Sequence, residues 1–163
     1  MPEAKLISRS PEATQQLGSR LGELAQPGDV LLLVGKLGSG KTCLTQGIAW
    51  GLGIQDYAQS PSFVIMRELY GRLPLYHIDL FRLDRIEEIE GLGLDDYLYG
   101  QGVCVIEWAE KGLPLLPSGH LLVKIEYLGD TERSFQFNPR GKRHQELLSQ
   151  LMFSDSYQEM ICD

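Results

Sequence analysis

The stretch Val30-Leu31-Leu32-Leu33-Val34 carries five aliphatic residues without polar alternation. Such a run predicts a strand covered on both faces, as in a parallel sheet. Val103 to Ile106 repeats the pattern. Upstream, Leu17, Leu21 and Leu24 fall at i, i+4 and i+7, the stripe of an amphipathic helix. Ser10-Pro11 opens that helix, since Ser caps well and Pro suits the first helical position. Gln26-Pro27-Gly28-Asp29 ends it. A second helix starts near Lys41, with Leu44, Ile48 and Leu52 on one side, and Gly51 and Gly53 placed to stop it.

The rest reads as strands with helical interruptions. Leu6-Ile7 is a short edge strand. Phe63 to Tyr70 and Leu75 to Asp79 flank the hairpin-length loop Gly71-Arg72-Leu73-Pro74, which predicts an antiparallel pair. Ile86 to Leu98 is helical but broken by Gly91 and Gly93. Leu121 to Tyr127 and Ser134 to Phe137 form a late hairpin around Gly129-Asp130, and Arg143 to Leu151 is a final helix. These elements predict one α/β domain over residues 1–153. Its mixed sheet has a parallel centre, antiparallel additions and helices on both faces. Residues 154–163 form a polar tail.

The chain has 163 residues and a net charge of −7. That balance disfavours direct nucleic-acid binding, which calls for a basic face. Three cysteines (Cys43, Cys104, Cys162) without a C-x-x-C spacing signal neither a disulfide framework nor a zinc site. No apolar run reaches the ~18 residues of a membrane span, and the N-terminus lacks a signal-peptide core. A cytoplasmic protein is expected. Eighteen residues are glycine, above the usual ~7%, which calls for tight turns or a backbone-lined site.

The chemistry begins at Gly35-Lys36-Leu37-Gly38-Ser39-Gly40-Lys41-Thr42, a complete G-x-x-x-x-G-K-[ST] between a buried strand and a helix. In such a loop backbone N–H groups turn toward phosphate oxygens, and the positive end of the helix dipole points the same way. Lys41 is expected on the β- and γ-phosphates and the Thr42 hydroxyl on Mg²⁺. Lys36 is read as a solvent-facing bystander.

A nucleotide hydrolase also needs a second Mg²⁺ holder and a group that orients water. Glu107 and Asp79 both close strands, at the ends where open α/β sheets bind ligands. His77 shares a strand face with Asp79. Ser60-Pro61-Ser62-Phe63 is a stiffened turn whose hydroxyls could sense a γ-phosphate, although its local chemistry by itself favours a plain turn.

Together these blocks resemble the TsaE (YjeE) family. They are Leu37 to Thr42, Ser60 to Phe63, His77-Ile78-Asp79-Leu80-Phe81-Arg82 and Ile106-Glu107-Trp108, in family order, and the resemblance spans roughly residues 8–137. It implies a P-loop ATPase fold and ATP hydrolysis with Mg²⁺. It further implies threonylcarbamoyladenosine modification of tRNA beside the anticodon, together with a TsaB–TsaD complex through which tRNA is met only indirectly.

Carried over by position, the resemblance implies that Gly35, Leu37, Gly38, Ser39, Gly40, Lys41 and Thr42 bind phosphate. It implies that Glu107 and Asp79 join Thr42 around the metal and that Lys41, Asp79 and Glu107 carry catalysis. It also implies places near the nucleotide for Ser62 and Trp108, and near its base or phosphates for Thr14 and Arg133. Lys36, Ser62 and Phe81 depart from the family's usual acid, Thr and Tyr.

The alternatives are a small-molecule kinase and a nucleotide-dependent switch or scaffold. The kinase would need arginines in a lid, and Lys111 to His120 has none. A Ras-type guanine reader needs Asn-Lys-x-Asp, whereas Asn138, the lone Asn, precedes Pro139. Intact Lys41, Thr42 and Glu107 argue against a degenerate scaffold.

Overall fold

The structure is a computed structural model in which residues 3–36, 40–55 and 66–153 are described. The strands are β1 (Ala4–Ser8), β2 (Val30–Val34), β3 (Met66–Tyr70), β4 (Pro74–Asp79), β5 (Val103–Glu107), β6 (His120–Tyr127) and β7 (Arg133–Arg140). The helices are α1 (Pro11–Leu24), α2 (Lys41–Gly51), α3 (Ile86–Glu90), α4 (Asp95–Leu98) and α5 (Lys142–Met152). The described strands form one seven-stranded sheet in the order β1-β7-β6-β2-β5-β4-β3. Its inner four strands, β6-β2-β5-β4, run parallel, while β1–β7, β6–β7 and β3–β4 are antiparallel. The expected mixed sheet is therefore present.

Both apolar runs occupy the centre, where β2 and β5 lie side by side with Leu31 opposite Val105 and Leu33 opposite Glu107. Alternate residues feed two cores. Leu31, Leu33, Val103 and Val105 pack with α1, α2 and α5 on one face. Val30, Leu32, Cys104 and Ile106 pack with Leu80, Ile89 and Leu98 on the other.

Several boundaries differ from expectation: the first strand spans Ala4–Ser8 rather than Leu6-Ile7 alone. The last strand continues past Phe137 to Arg140. Beyond Phe137 it has no β1 neighbour, so Pro139 sits at an edge position, where a missing N–H is tolerated. Gly51 does not stop the second helix. It is its last residue, and the turn is made by Gly53 at φ +80°. The expected strand from Phe63 is seen from Met66 onward; residues 63–65 and the tail 154–163 lie outside the described residues.

Helices α1 and α2 cross backbone to backbone. A Cβ on Gly18 would stand 2.3 Å from Leu44 O, one on Gly22 2.3 Å from Ile48 O, one on Gly47 2.1 Å from Gln15 O and one on Gly51 2.1 Å from Ser19 O. No real Cβ approaches a carbonyl so closely, so these four positions require glycine. The contacts advance together along both helices, so the two run parallel. The start of α1 therefore stands beside the start of α2, at the phosphate-loop end of the sheet.

Candidate active site

The glycine-rich loop leaves the end of β2 and enters α2 through Gly40, whose φ of +110° only glycine adopts without strain. Leu37, Gly38 and Ser39 lie outside the described residues. Lys41 opens α2 and is only 5% exposed. Its Nζ donates to Gly35 O at 2.7 Å and stands 3.7 Å from the centroid of the Trp108 ring. Burial lowers the Lys41 pKa, and Glu107, Glu110 and Asp79 oppose that shift by favouring the cation. Thr42 follows on the first turn of α2 and is exposed. Lys36 is exposed, as expected for a bystander.

Two parallel strands bring the carboxylates to this end of the sheet. Asp79 closes β4 and Glu107 closes β5, directly opposite each other in register. Glu107 is 3% exposed and so is closed off from bulk solvent. Its Oε2 lies 2.5 Å from His77 Nε2, and His77 is fully buried. His77 and Asp79 share a face of β4, as the two-residue spacing requires. Asp79 Oδ1 accepts the Phe81 N–H at 2.9 Å, and Leu80 N–H donates to Glu107 O at 3.1 Å. Thus the loop that follows β4 is tied to the end of β5.

Trp108 is the single non-glycine residue with positive φ (58°) among the described residues. A bulky residue held there costs about 1–2 kcal/mol and persists only where its surroundings fix it. Here Lys41 lies over the Trp108 ring, and the Phe81 ring packs against it at 4.9 Å between centroids. Beside the loop, a cavity of about 410 Å³ lies between the ends of β2 and β6, lined by Val34, Gly35, Lys36 and residues 124–127.

The family model described as "Threonylcarbamoyl adenosine biosynthesis protein TsaE" matches residues 8–135. The chain belongs to the TsaE family. It is 43% identical over 157 residues to the tRNA threonylcarbamoyladenosine biosynthesis protein TsaE of Bacillus subtilis, covering 96% of this chain and 98% of that one. The protein of the same name from Treponema pallidum is 40% identical, covering 79% and 96%. The crystal structure of YdiB from Bacillus subtilis superposes with a TM-score of 0.80 at 40% identity, covering 91% of this chain and 93% of its own.

The remaining residues that the TsaE resemblance singled out divide in two. Arg133 reaches the loop: its side-chain carbons lie 3.6 Å from where a Cβ on Gly40 would stand. Its guanidinium donates to Gly129 O and Glu132 O and lies 4.5 Å from the Tyr127 ring centroid. Thr14 stands at the same end but is 2% exposed, and its hydroxyl bonds to Ser8 Oγ at 2.7 Å. In this arrangement Thr14 fastens α1 to β1 and is closed to solvent. Ser62 and its neighbours lie outside the described residues.

The sequence does not decide a role for His77, and of the four helix-crossing glycines it singles out Gly51 alone, as a helix stop. Their signal was nevertheless present, as Gly-x-x-x-Gly in both helices, Gly18/Gly22 and Gly47/Gly51.

The donor set suits Mg²⁺ accompanied by phosphate. Among the described residues no group of three His, Cys, Asp or Glu could hold a metal unaided. Among the described residues Asp79 and Glu107 offer carboxylate oxygens and Thr42 a hydroxyl, with Glu110 a further carboxylate acting on Lys41. Mg²⁺ is commonly bound in this way, through one or two carboxylates with the remaining positions filled by phosphate and water.

Proposed function

We propose that this TsaE-family chain is a Mg²⁺-dependent ATPase that serves threonylcarbamoyladenosine formation on tRNA together with a TsaB–TsaD complex. The observation that carries the reading is the meeting of Lys41, Asp79 and Glu107 at one end of the parallel strands, next to the glycine-rich loop. The family membership supports the tRNA role, and the names of its curated relatives agree.

In this reading ATP lays its phosphates along the loop backbone at the start of α2. Lys41 leaves Gly35 O and the Trp108 face for the β- and γ-phosphate oxygens. Thr42, Asp79 and Glu107 would hold Mg²⁺, which supplies neutralisation of charge on those oxygens. Glu107, oriented by His77, also fits the task of aligning the attacking water. Arg133 adds a cation beside Gly40, and the cavity between β2 and β6 offers room for the base. The net charge of −7 disfavours direct binding of tRNA by this chain. The RNA contacts are therefore assigned to the partner complex.

Calorimetric titration with ATP, with and without Mg²⁺, tests the reading. The native chain binds, Lys41→Ala loses binding, and Thr42→Ala loses more affinity with Mg²⁺ than without it. No binding by the native chain, or equal loss for Thr42→Ala in both conditions, contradicts it.

A further inference from the structure

Lys111 closes the one-turn 3₁₀ helix Ala109–Lys111 that follows Trp108. Its Nζ donates to Phe81 O at 2.5 Å and to Leu83 O at 3.1 Å. Both acceptors belong to the loop after β4, whereas Lys111 itself belongs to the loop after β5. The ammonium thus fastens together the two loops that directly follow the candidate carboxylates Asp79 and Glu107.

The fastening acts on both peptide groups that flank one residue, Phe81. The Phe81 N–H is held by Asp79 Oδ1 and the Phe81 carbonyl by Lys111 Nζ. The Phe81 ring, 5.4 Å from Lys111 Nζ, lies against Trp108, whose ring Lys41 also meets. Lys41, Trp108, Phe81 and Lys111 therefore make a continuous column, with a cation at each end and two aromatic rings between. A charged donor shared by two carbonyls is stronger than a neutral one, and it offsets part of the strain held at Trp108.

We propose that Lys111 is a positioning residue for the ATPase reaction. It fixes the Phe81 turn so that Asp79 and Trp108 keep their places beside the phosphate loop. The proposal rests on the ATPase reading above. It predicts an effect on turnover rather than on ATP affinity, because the loop and Lys41 hold the phosphates while Asp79 acts at the reacting end.

The test uses the full chain with Trp50→Phe, which leaves Trp108 as the lone tryptophan. Lys111→Met keeps the stem and removes the donor; Lys111→Arg keeps a donor able to reach two carbonyls. With Lys111→Met, kcat for ATP falls about tenfold while KM stays nearly constant, the scale expected when a catalytic group is misplaced by a fraction of an ångström. Acrylamide quenches Trp108 more strongly in nucleotide-free Lys111→Met, and Lys111→Arg restores both readouts. Unchanged quenching and kcat in Lys111→Met, or equal impairment in both variants, overturns the proposal. The quenching arm needs no nucleotide, so an inactive native chain would sink the ATPase reading while the role of Lys111 in fixing the turn is still decided.

Discussion

Buried His77 holds buried Glu107 through a 2.5 Å contact between Nε2 and Oε2, across two adjacent parallel strands. One strand thus supplies the carboxylate and its neighbour supplies the group that aims it. The pair also separates two substitutions that would otherwise look alike.

Glu107→Gln retains a side chain that can bond to His77. It should keep stability within about 1 kcal/mol and lose turnover far more than ATP affinity. His77→Ala leaves the Glu107 carboxyl without this partner. It should cost about 1–3 kcal/mol of stability and slow hydrolysis as well. Urea denaturation with single-turnover kinetics checks both. A His77→Ala protein with native stability and native turnover would reduce the contact to a packing accident.

ATP binding should alter Trp108 emission, because Lys41 must leave its ring to reach phosphate. A cation on an aromatic face is worth about 0.5–2 kcal/mol, little against a phosphate contact. In a Trp50→Phe background, titration with ATP should change the fluorescence, and Lys41→Ala should abolish the change. A silent Trp108 at saturating ATP would mean that the lysine stays where it is.

Gly47→Ala should destabilise the fold and disturb nucleotide binding together. Its new methyl would press on Gln15 O from 2.1 Å, and the helix that must move carries Lys41 at its start. Overpacking of this kind costs about 1–3 kcal/mol, and each kcal/mol lowers Tm by about 2–4 °C in a chain of this size. Gly91→Ala is the control, since its nearest neighbours beyond the bonded residues stand at 3.5 Å or more. Equal Tm values for the two variants would contradict the crossing.

Stability should decline as pH falls below the ordinary histidine range, through His144. This residue is 5% exposed, and its Nε2 accepts the Val30 N–H at 3.1 Å, so it is bound as the neutral ring. Burial lowers its pKa; Arg143 and His120 add to the shift, and Asp29 opposes it. The unfolded chain therefore takes up the proton first. The stabilisation is complete above about pH 6.5 and is lost progressively below it. Denaturation midpoints between pH 8 and 5 should fall less steeply for His144→Gln than for the native chain. Parallel slopes would remove His144 from the account.

Much of the architecture was legible because local pattern and burial agree. The runs 30–34 and 103–106 are apolar throughout since both their faces are covered, and Ser10 caps α1 as its type predicts, accepting the Ala13 N–H at 3.0 Å. The phosphate loop was legible as a motif. The burial of Glu107 was not, because a glutamate at a strand end reads the same whether it faces water or a histidine 30 residues away. Nor was the ion pair in which Arg143 holds buried Asp29 through two bonds of 2.8 and 2.9 Å, which joins residues 114 positions apart. The glycines were legible in part. Their number calls for turns or a backbone-lined site, and Gly28, Gly40, Gly53, Gly93 and Gly141 do take positive φ, whereas the four-residue spacing that marks the helix contact shows only when two separate segments are compared.

The central claim is that this chain hydrolyses ATP with Glu107 in support of a partner complex. Its most direct test is the steady-state ATP turnover of the native and Glu107→Gln chains, each alone and with purified TsaB–TsaD and Mg²⁺. The account predicts slow turnover by the native chain alone, a clear increase with the complex, and near loss in Glu107→Gln under both conditions. Native-level turnover by Glu107→Gln, or a native rate that the complex leaves unchanged, would contradict it.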